Sequence, residues 1–163
     1  LGEHDFWAKV SLRDESAKVP LIISMPGKKP AICNSFVELL DLYPTLANLC
    51  ALPEQSRLQG KDISKMLDDP SLEVRKEAFS VAPMRTGFLL RNKQWAFIQY
   101  GENLPHQLKG GFEHGRNGIE LFDMEQDPQQ FINLADSPKH EPTVQAFRKK
   151  LKRKLAAIRT NDL

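Results

Sequence analysis

Leu1-Gly2-Glu3-His4-Asp5-Phe6-Trp7-Ala8-Lys9, running on to Lys18-Val19-Pro20-Leu21-Ile22-Ile23, is the stretch on which the reading of this chain turns. It sets a carboxylate, an imidazole, an indole and an ammonium within nine residues, just ahead of an apolar run. Residues 19–23 show no alternation of period two, so both faces ask for burial, as in a central parallel strand. A polar cluster leading into such a strand suits the corner of an active site. A strand buried on both faces needs neighbours on both edges, and the first 76 residues offer no second confident strand. The chain therefore reads as the C-terminal piece of a larger enzyme whose preceding segment supplies those neighbours.

Composition sets wide bounds. The 163 residues could bury roughly two-thirds of their unfolded surface, and 40% hydrophobic with 27% charged residues is ordinary for a globular protein. No apolar run approaches the ~20 residues of a membrane span. A net charge of +2 argues for neither a nucleic-acid nor a membrane partner over the whole surface. Cys33 and Cys50 make no C-x-x-C or Cys/His metal pattern, and fit two free thiols or one disulfide.

Along the chain, residues 11–18 read as a polar loop, and Met25-Pro26-Gly27 stops the apolar run. Asp41 or Tyr43 leads into a helix with Pro44 in its first turn, and Leu42, Leu46 and Leu49 supply its apolar stripe. Pro53 ends it, and residues 61–67 form a short second helix. From residue 77 the pattern becomes β-type, with segments 78–82, 87–91, 94–100 and 119–123 and a tight turn at Asn92-Lys93. Residues 101–118 form a glycine-rich loop carrying His106 and His114. A closing helix over 143–158 presents Val144, Phe147, Leu151, Leu155 and Ile158 on one face. The expected organisation is the end of a large α/β domain over 1–76, then a small α+β domain over 77–163. The latter packs a four-stranded antiparallel sheet against the C-terminal helix.

Several segments carry a resemblance. Gly2-Glu3-His4 with Trp7-x-Lys9 and Glu15-x-x-Lys18-Val19-Pro20-Leu21-Ile22 resembles a conserved segment of the sulfatases, in the alkaline-phosphatase-like superfamily. Asp41-Leu42-Tyr43-Pro44-Thr45-Leu46, Gln59-Gly60 and Glu120-Leu121-Phe122-Asp123-x-x-x-Asp127-Pro128 continue it in the family's order. The nearest likeness is to iduronate-2-sulfatase-like members. The resemblance implies a parent enzyme that hydrolyses sulfate esters of small molecules or saccharides, using calcium and a formylglycine made from Cys or Ser in Cys/Ser-x-Pro-x-Arg. It places the calcium ligands outside this chain, so Glu3 and Asp5 are not read as a metal pair. Neither Cys33, before Asn34-Ser35-Phe36, nor Cys50, before Ala51-Leu52-Pro53, fits the nucleophile motif.

Lys9 then matches the sulfatase lysine that holds the substrate's sulfate, a fixed ammonium facing oxygens on which charge builds during cleavage. His4 suits donation to the leaving-group oxygen or contact with a sugar, and equally a structural hydrogen bond. Trp7 and His114 complete the expected substrate contacts. A phosphomonoester or phosphonate hydrolase of the superfamily is the rival reading, because both anions are tetrahedral. A third reading, a non-catalytic polyanion-binding module, rests on Arg148-Lys149-Lys150-Leu151-Lys152-Arg153-Lys154. There Leu151 turns inward, and a solvated basic face near a helix C-terminus suits the helix dipole. That blander account is preferred. With no nucleophile motif in its sequence, the 163-residue chain alone is expected to turn over no aryl sulfate in the presence of calcium. Turnover above a heat-killed control would contradict this.

Overall fold

The computed structural model describes residues 4, 11–53, 56–82, 87–101 and 118–159. Contacts gather them into two units: Leu1–Val19 with Phe79–Asp162, and Pro20–Ala78.

The first unit is built on strands β1 (Glu77–Val81, which belongs to it from Phe79 on), β2 (Gly87–Asn92), β3 (Trp95–Tyr100) and β4 (Ile119–Asp123). They lie side by side in chain order, as one antiparallel sheet. Leu89 pairs with Ile98, Leu90 with Phe97, and Phe97 in turn with Leu121. The β2–β3 turn forms where Asn92-Lys93 predicts it. The Asn92 side-chain oxygen accepts the N–H groups of Gln94 (3.0 Å) and Trp95 (2.7 Å), tying the reversal to its own side chain.

Successive strand residues face opposite ways, and both faces of this sheet are covered. On one, Leu90, Phe97, Ile119 and Leu121 meet helix α3 (Glu141–Arg159) through Val144, Phe147 and Leu151. The Phe97 and Phe147 rings stack at 5.4 Å. Leu155 packs at the margin of this cluster, whereas Ile158 is 38% exposed. Nineteen residues rise about 28 Å, longer than a five- or six-residue strand of about 17–20 Å, so the helix outruns the sheet. On the other face Leu89, Ala96, Ile98, Tyr100, Phe122 and Met124 pack with Leu12 and Ala17. The cover there is the polar segment expected to be a loop, which carries a one-turn helix, α1 (Asp14–Ala17).

The anticipated buried strand at residues 19–23 is not formed. No strand is assigned there, and Val19 (57%), Leu21 (40%) and Ile22 (88%) are exposed. A strand exists only where its backbone groups find a partner ladder, and among the described residues the sheet is made wholly from residues 77–123.

The second unit turns on Asp41, whose side chain is fully buried. A 3₁₀ turn (Leu39–Asp41) leads into α2 (Leu42–Leu49), with Pro44 in the first turn. Asp41 accepts N–H groups from Glu38 and Lys61, both at 2.8 Å, and is gripped by both ends of the Arg75 guanidinium. The expected stripe on α2 is displaced: Leu46 is exposed, while Thr45 and Ala47 are buried. Thr45 is drawn inward because its hydroxyl donates to the Asp41 carbonyl (2.5 Å) and accepts the Ile63 N–H (3.0 Å). The second helix is only a 3₁₀ turn, Ser64–Leu67. Gly60 passes so close to Leu40 that a Cβ would sit 1.9 Å from its carbonyl oxygen, so no larger residue fits. Cys33 and Cys50 are exposed free thiols.

Burial alone would raise the Asp41 carboxyl, but the hydrogen bonds from Arg75, Lys61 and Glu38 outweigh it and hold the group below its ordinary 3.8. A lowered folded-state value gives stability that is complete above the ordinary value and is lost as pH falls below it. Asp41→Asn turns an amide N–H donor toward groups that are themselves donors and strands the Arg75 charge; it is expected to cost about 3 kcal/mol at neutral pH. Urea titrations should also show a shallower loss of stability below pH ~4 in the variant. Equal acid limbs in variant and wild type would contradict this.

Candidate functional site

The polar N-terminal segment is held on the sheet by a charge pair spanning 107 residues. Glu120 sits in β4 between Ile119 and Leu121, on the face covered by Leu12, and is fully buried. Arg13, 6% exposed, donates to it through Nη2 (3.1 Å) and Nε (3.4 Å). Its Nη1 donates to the Gln130 carbonyl (3.2 Å), and its guanidinium lies 5.0 Å from the Phe122 ring centre. Tyr100 is buried beside them. Its hydroxyl is raised far above its usual range, first by burial and then by the Glu120 charge, with Arg13 partly opposing.

Gln130 is the second anchor. It is fully buried with a positive φ of 60°, and its side-chain oxygen accepts the Asp14 N–H at 2.7 Å. The Asp14 carboxylate reaches Arg91 on β2 (3.3 Å). The loop after β4 is shaped by its own acidic side chains. Asp123 accepts the Glu125 and Gln126 N–H groups, and Asp127 accepts that of Ile132. Asn133 then seals β4, accepting the Leu121 N–H and donating to the Ile119 carbonyl.

His4 belongs to this arrangement. Its ring lies 4.7 Å from that of Phe131, the residue after Gln130. Its Nε2 stands 3.4 Å from a Glu15 carboxylate oxygen, a long contact in which the carboxylate can only accept. The backbone at His4 has φ of 57°, in the left-handed region that non-glycine residues seldom adopt and that clusters at functional sites. Two elements distant in sequence thus converge on one imidazole: α1 through Glu15, and the loop after β4 through Phe131.

Of the expected site residues, His4 is placed in this way, whereas Lys9, Trp7 and His114 lie outside the described residues. Arg13, Glu120 and Gln130 are the members that pattern reading missed. One signal was present, a carboxylate in the otherwise apolar run Ile119-Glu120-Leu121-Phe122. Among the described residues no group of three or more His, Cys, Asp or Glu could hold a metal ion, so they do not fit a calcium site. Neither cysteine lies in a formylglycine motif.

The geometry can be set beside known proteins. The family profile described as N-sulphoglucosamine sulphohydrolase, C-terminal, matches residues 2–160. The chain belongs to this family, the C-terminal region of the sulfatases. Choline-sulfatase of Rhizobium meliloti (strain 1021) is 31% identical over 159 residues, covering 91% of this chain and 28% of that protein. Arylsulfatase K of Gallus gallus is 28% identical over 164 residues, covering 92% and 28%. The sulfatase region therefore spans 28% of the length of these curated relatives. Two solved structures share the fold. The phosphonate monoester hydrolase of Silicibacter pomeroyi aligns at a TM-score of 0.71 with 21% identity, over 91% of this chain and 31% of that one. A 2-O GAG sulfatase aligns at 0.54 with 22% identity, over 74% and 25%.

In this sulfatase region, Glu120→Ala leaves the Arg13 charge buried without its carboxylate, and is expected to cost about 3–5 kcal/mol. The double change Arg13→Met/Glu120→Leu removes both charges and should recover more than half of that loss. Urea denaturation of the two single variants and the double one measures the coupling. Strictly additive costs would show that the pair does not hold the segment.

Proposed function

We propose that the whole protein is a sulfate ester hydrolase acting on sulfated sugars, to which this region contributes the corner formed by His4, Trp7 and Lys9. The observation that carries the reading is the family match over residues 2–160. It is accompanied by curated relatives named choline-sulfatase, arylsulfatase K and ulvan-active sulfatase. The sugar preference, nearest to iduronate-2-sulfatase-like members, is supported by the sequence segments around His4, Asp41 and Glu120. Solved sulfatase structures described with a 2-O GAG activity and with D-glucosamine-2-N,6-O-disulfate share the fold.

Cleavage of a sulfate ester builds negative charge on the bridging oxygen while the sulfate oxygens stay charged. Lys9 would hold those oxygens with an ammonium fixed before the reaction, so no reorganisation is needed as charge grows. His4, with its ring braced by Phe131 and Glu15, would meet the leaving-group oxygen or the sugar. Trp7 and His114 would line the sugar side. In the sulfatase family formylglycine supplies the attack on sulfur and calcium the charge that anchors the sulfate. This reading assigns both to segments outside the chain.

Lys9→Ala in the full-length protein is expected to lower kcat/KM on a sulfate ester on the order of a hundredfold, about 3 kcal/mol, with little change in melting temperature. The assay carries a phosphonate monoester in parallel, since that anion has the same shape. Wild-type turnover of the sulfate ester by Lys9→Ala would remove Lys9 from the site. A wild-type preference for the phosphonate would replace the sulfatase reading with its rival.

A further inference from the structure

Helix α3 holds six cations in the seven residues 148–154 and has no carboxylate after Glu141. The whole chain carries a net charge of only +2, so the remainder is net negative. Leu151 is buried against the sheet, whereas Arg148, Lys149, Lys152 and Arg153 are exposed. Arg148 and Lys152 stand one turn apart, as do Lys149 and Arg153, so the four form two adjoining rungs on one face. Their neighbours are occupied otherwise. The Lys154 ammonium lies 5.1 Å from the Phe79 ring centre, and Lys150 has an interaction of its own. No carboxylate among the described residues pairs with the four.

Helix stability does not account for this face. Like charges one turn apart weaken the helix that carries them. The dipole rewards cations only within the last turn, and residues 148–154 lie before the last turn of a helix ending at Arg159. We propose that this face docks a sulfated polysaccharide chain, as a second, non-catalytic site; the choice of polymer rests on the sulfated-sugar reading above. Rows of cations with no carboxylate among them complement a polymer bearing sulfates at intervals. The only aromatic residue of α3, Phe147, is buried, which leaves no platform for stacking the bases of a single-stranded nucleic acid. The apolar face of the helix is covered by the sheet, so it does not serve to enter a membrane surface.

The test uses the full-length protein with dextran sulfate as probe, neutral dextran as blank and a DNA duplex of matched charge as competitor. Lys149→Gln/Lys152→Gln/Arg153→Gln keeps good helix formers. It is expected to weaken dextran sulfate binding at least about tenfold. It should also flatten the salt dependence by about two in log–log slope, at ~0.7 per charge for a single-stranded polyanion. A charge-matched control, Lys29→Gln/Lys65→Gln/Lys76→Gln, removes exposed lysines of the other unit and should leave binding within about twofold. Unchanged binding by the α3 variant, equal losses in both variants, or tighter binding of the duplex overturns the proposal. Turnover of a small aryl sulfate, read alongside, should be the same in the α3 variant and the wild type. Its absence from the wild type would sink the sulfatase reading, while the binding comparison is decided on its own terms.

Discussion

A guanidinium sealed between a carboxylate and a phenyl ring fixes how the first unit is assembled. Taking Arg13 and Glu120 out of water costs several kcal/mol per ion before any contact is made. That cost is offset only if nearly every donor finds a partner. The two Glu120 oxygens, the Gln130 carbonyl and the Phe122 face supply them. A segment shifted by one residue would put Leu12 or Asp14 opposite Glu120 and leave a bare charge in the core. The pair therefore contributes more to placement than to net stability, since apolar residues of similar volume could fill the same space. Because Gln130 is drawn into the same network, the pair also sets where Phe131 meets His4.

This division explains what was legible in the sequence. The hairpin at Asn92-Lys93, the strand at residues 119–123 and the inward face of α3 are written in short-range pattern, and local backbone geometry reads that pattern directly. Arg13 lies in a run of charged residues that looks like solvated loop, and nothing local tells it from Lys18, which is exposed. Its burial depends on an acceptor 107 positions away. The run at residues 19–23 fails in the opposite direction. Its pattern reports a demand for burial but not which partner meets it, and the described residues provide no adjoining strand. In α2 the periodicity chose Leu46 over Thr45, because a hydropathy pattern does not count the two hydrogen bonds that draw a hydroxyl inward.

The two units share one device. In each, a fully buried carboxylate, Glu120 or Asp41, gathers an arginine and pulls distant segments together. Both carboxylates fall in segments by which the chain resembles the sulfatases, as does Gly60, where backbone passes against backbone. These signatures are thus explained by folding, without any contact to substrate. A motif rich in Asp and Glu invites a catalytic or metal-binding interpretation, yet Asp123 and Asp127 spend their oxygens on backbone N–H groups of their own loop. On the proposed reading the chemistry would fall instead to the segment around His4.

The sheet separates that corner from the basic helix. Leu12, Arg13 and α1 lie on one face and α3 on the other, with layers about 10 Å apart. On the proposed reading, a sulfated sugar small enough to sit beside His4 cannot reach the α3 cations on the opposite face at the same time. A polymer can, provided it is long enough to pass around the sheet edge. Docking on α3 would then raise the local concentration of sulfated units at the corner, with a benefit that vanishes once the chain is too short to span the two faces. The His4 corner would select the ester by its fixed groups and the basic face would select the polymer by charge. Because the two proposed recognitions would use opposite faces of the same sheet, either could vary without disturbing the packing that the other depends on.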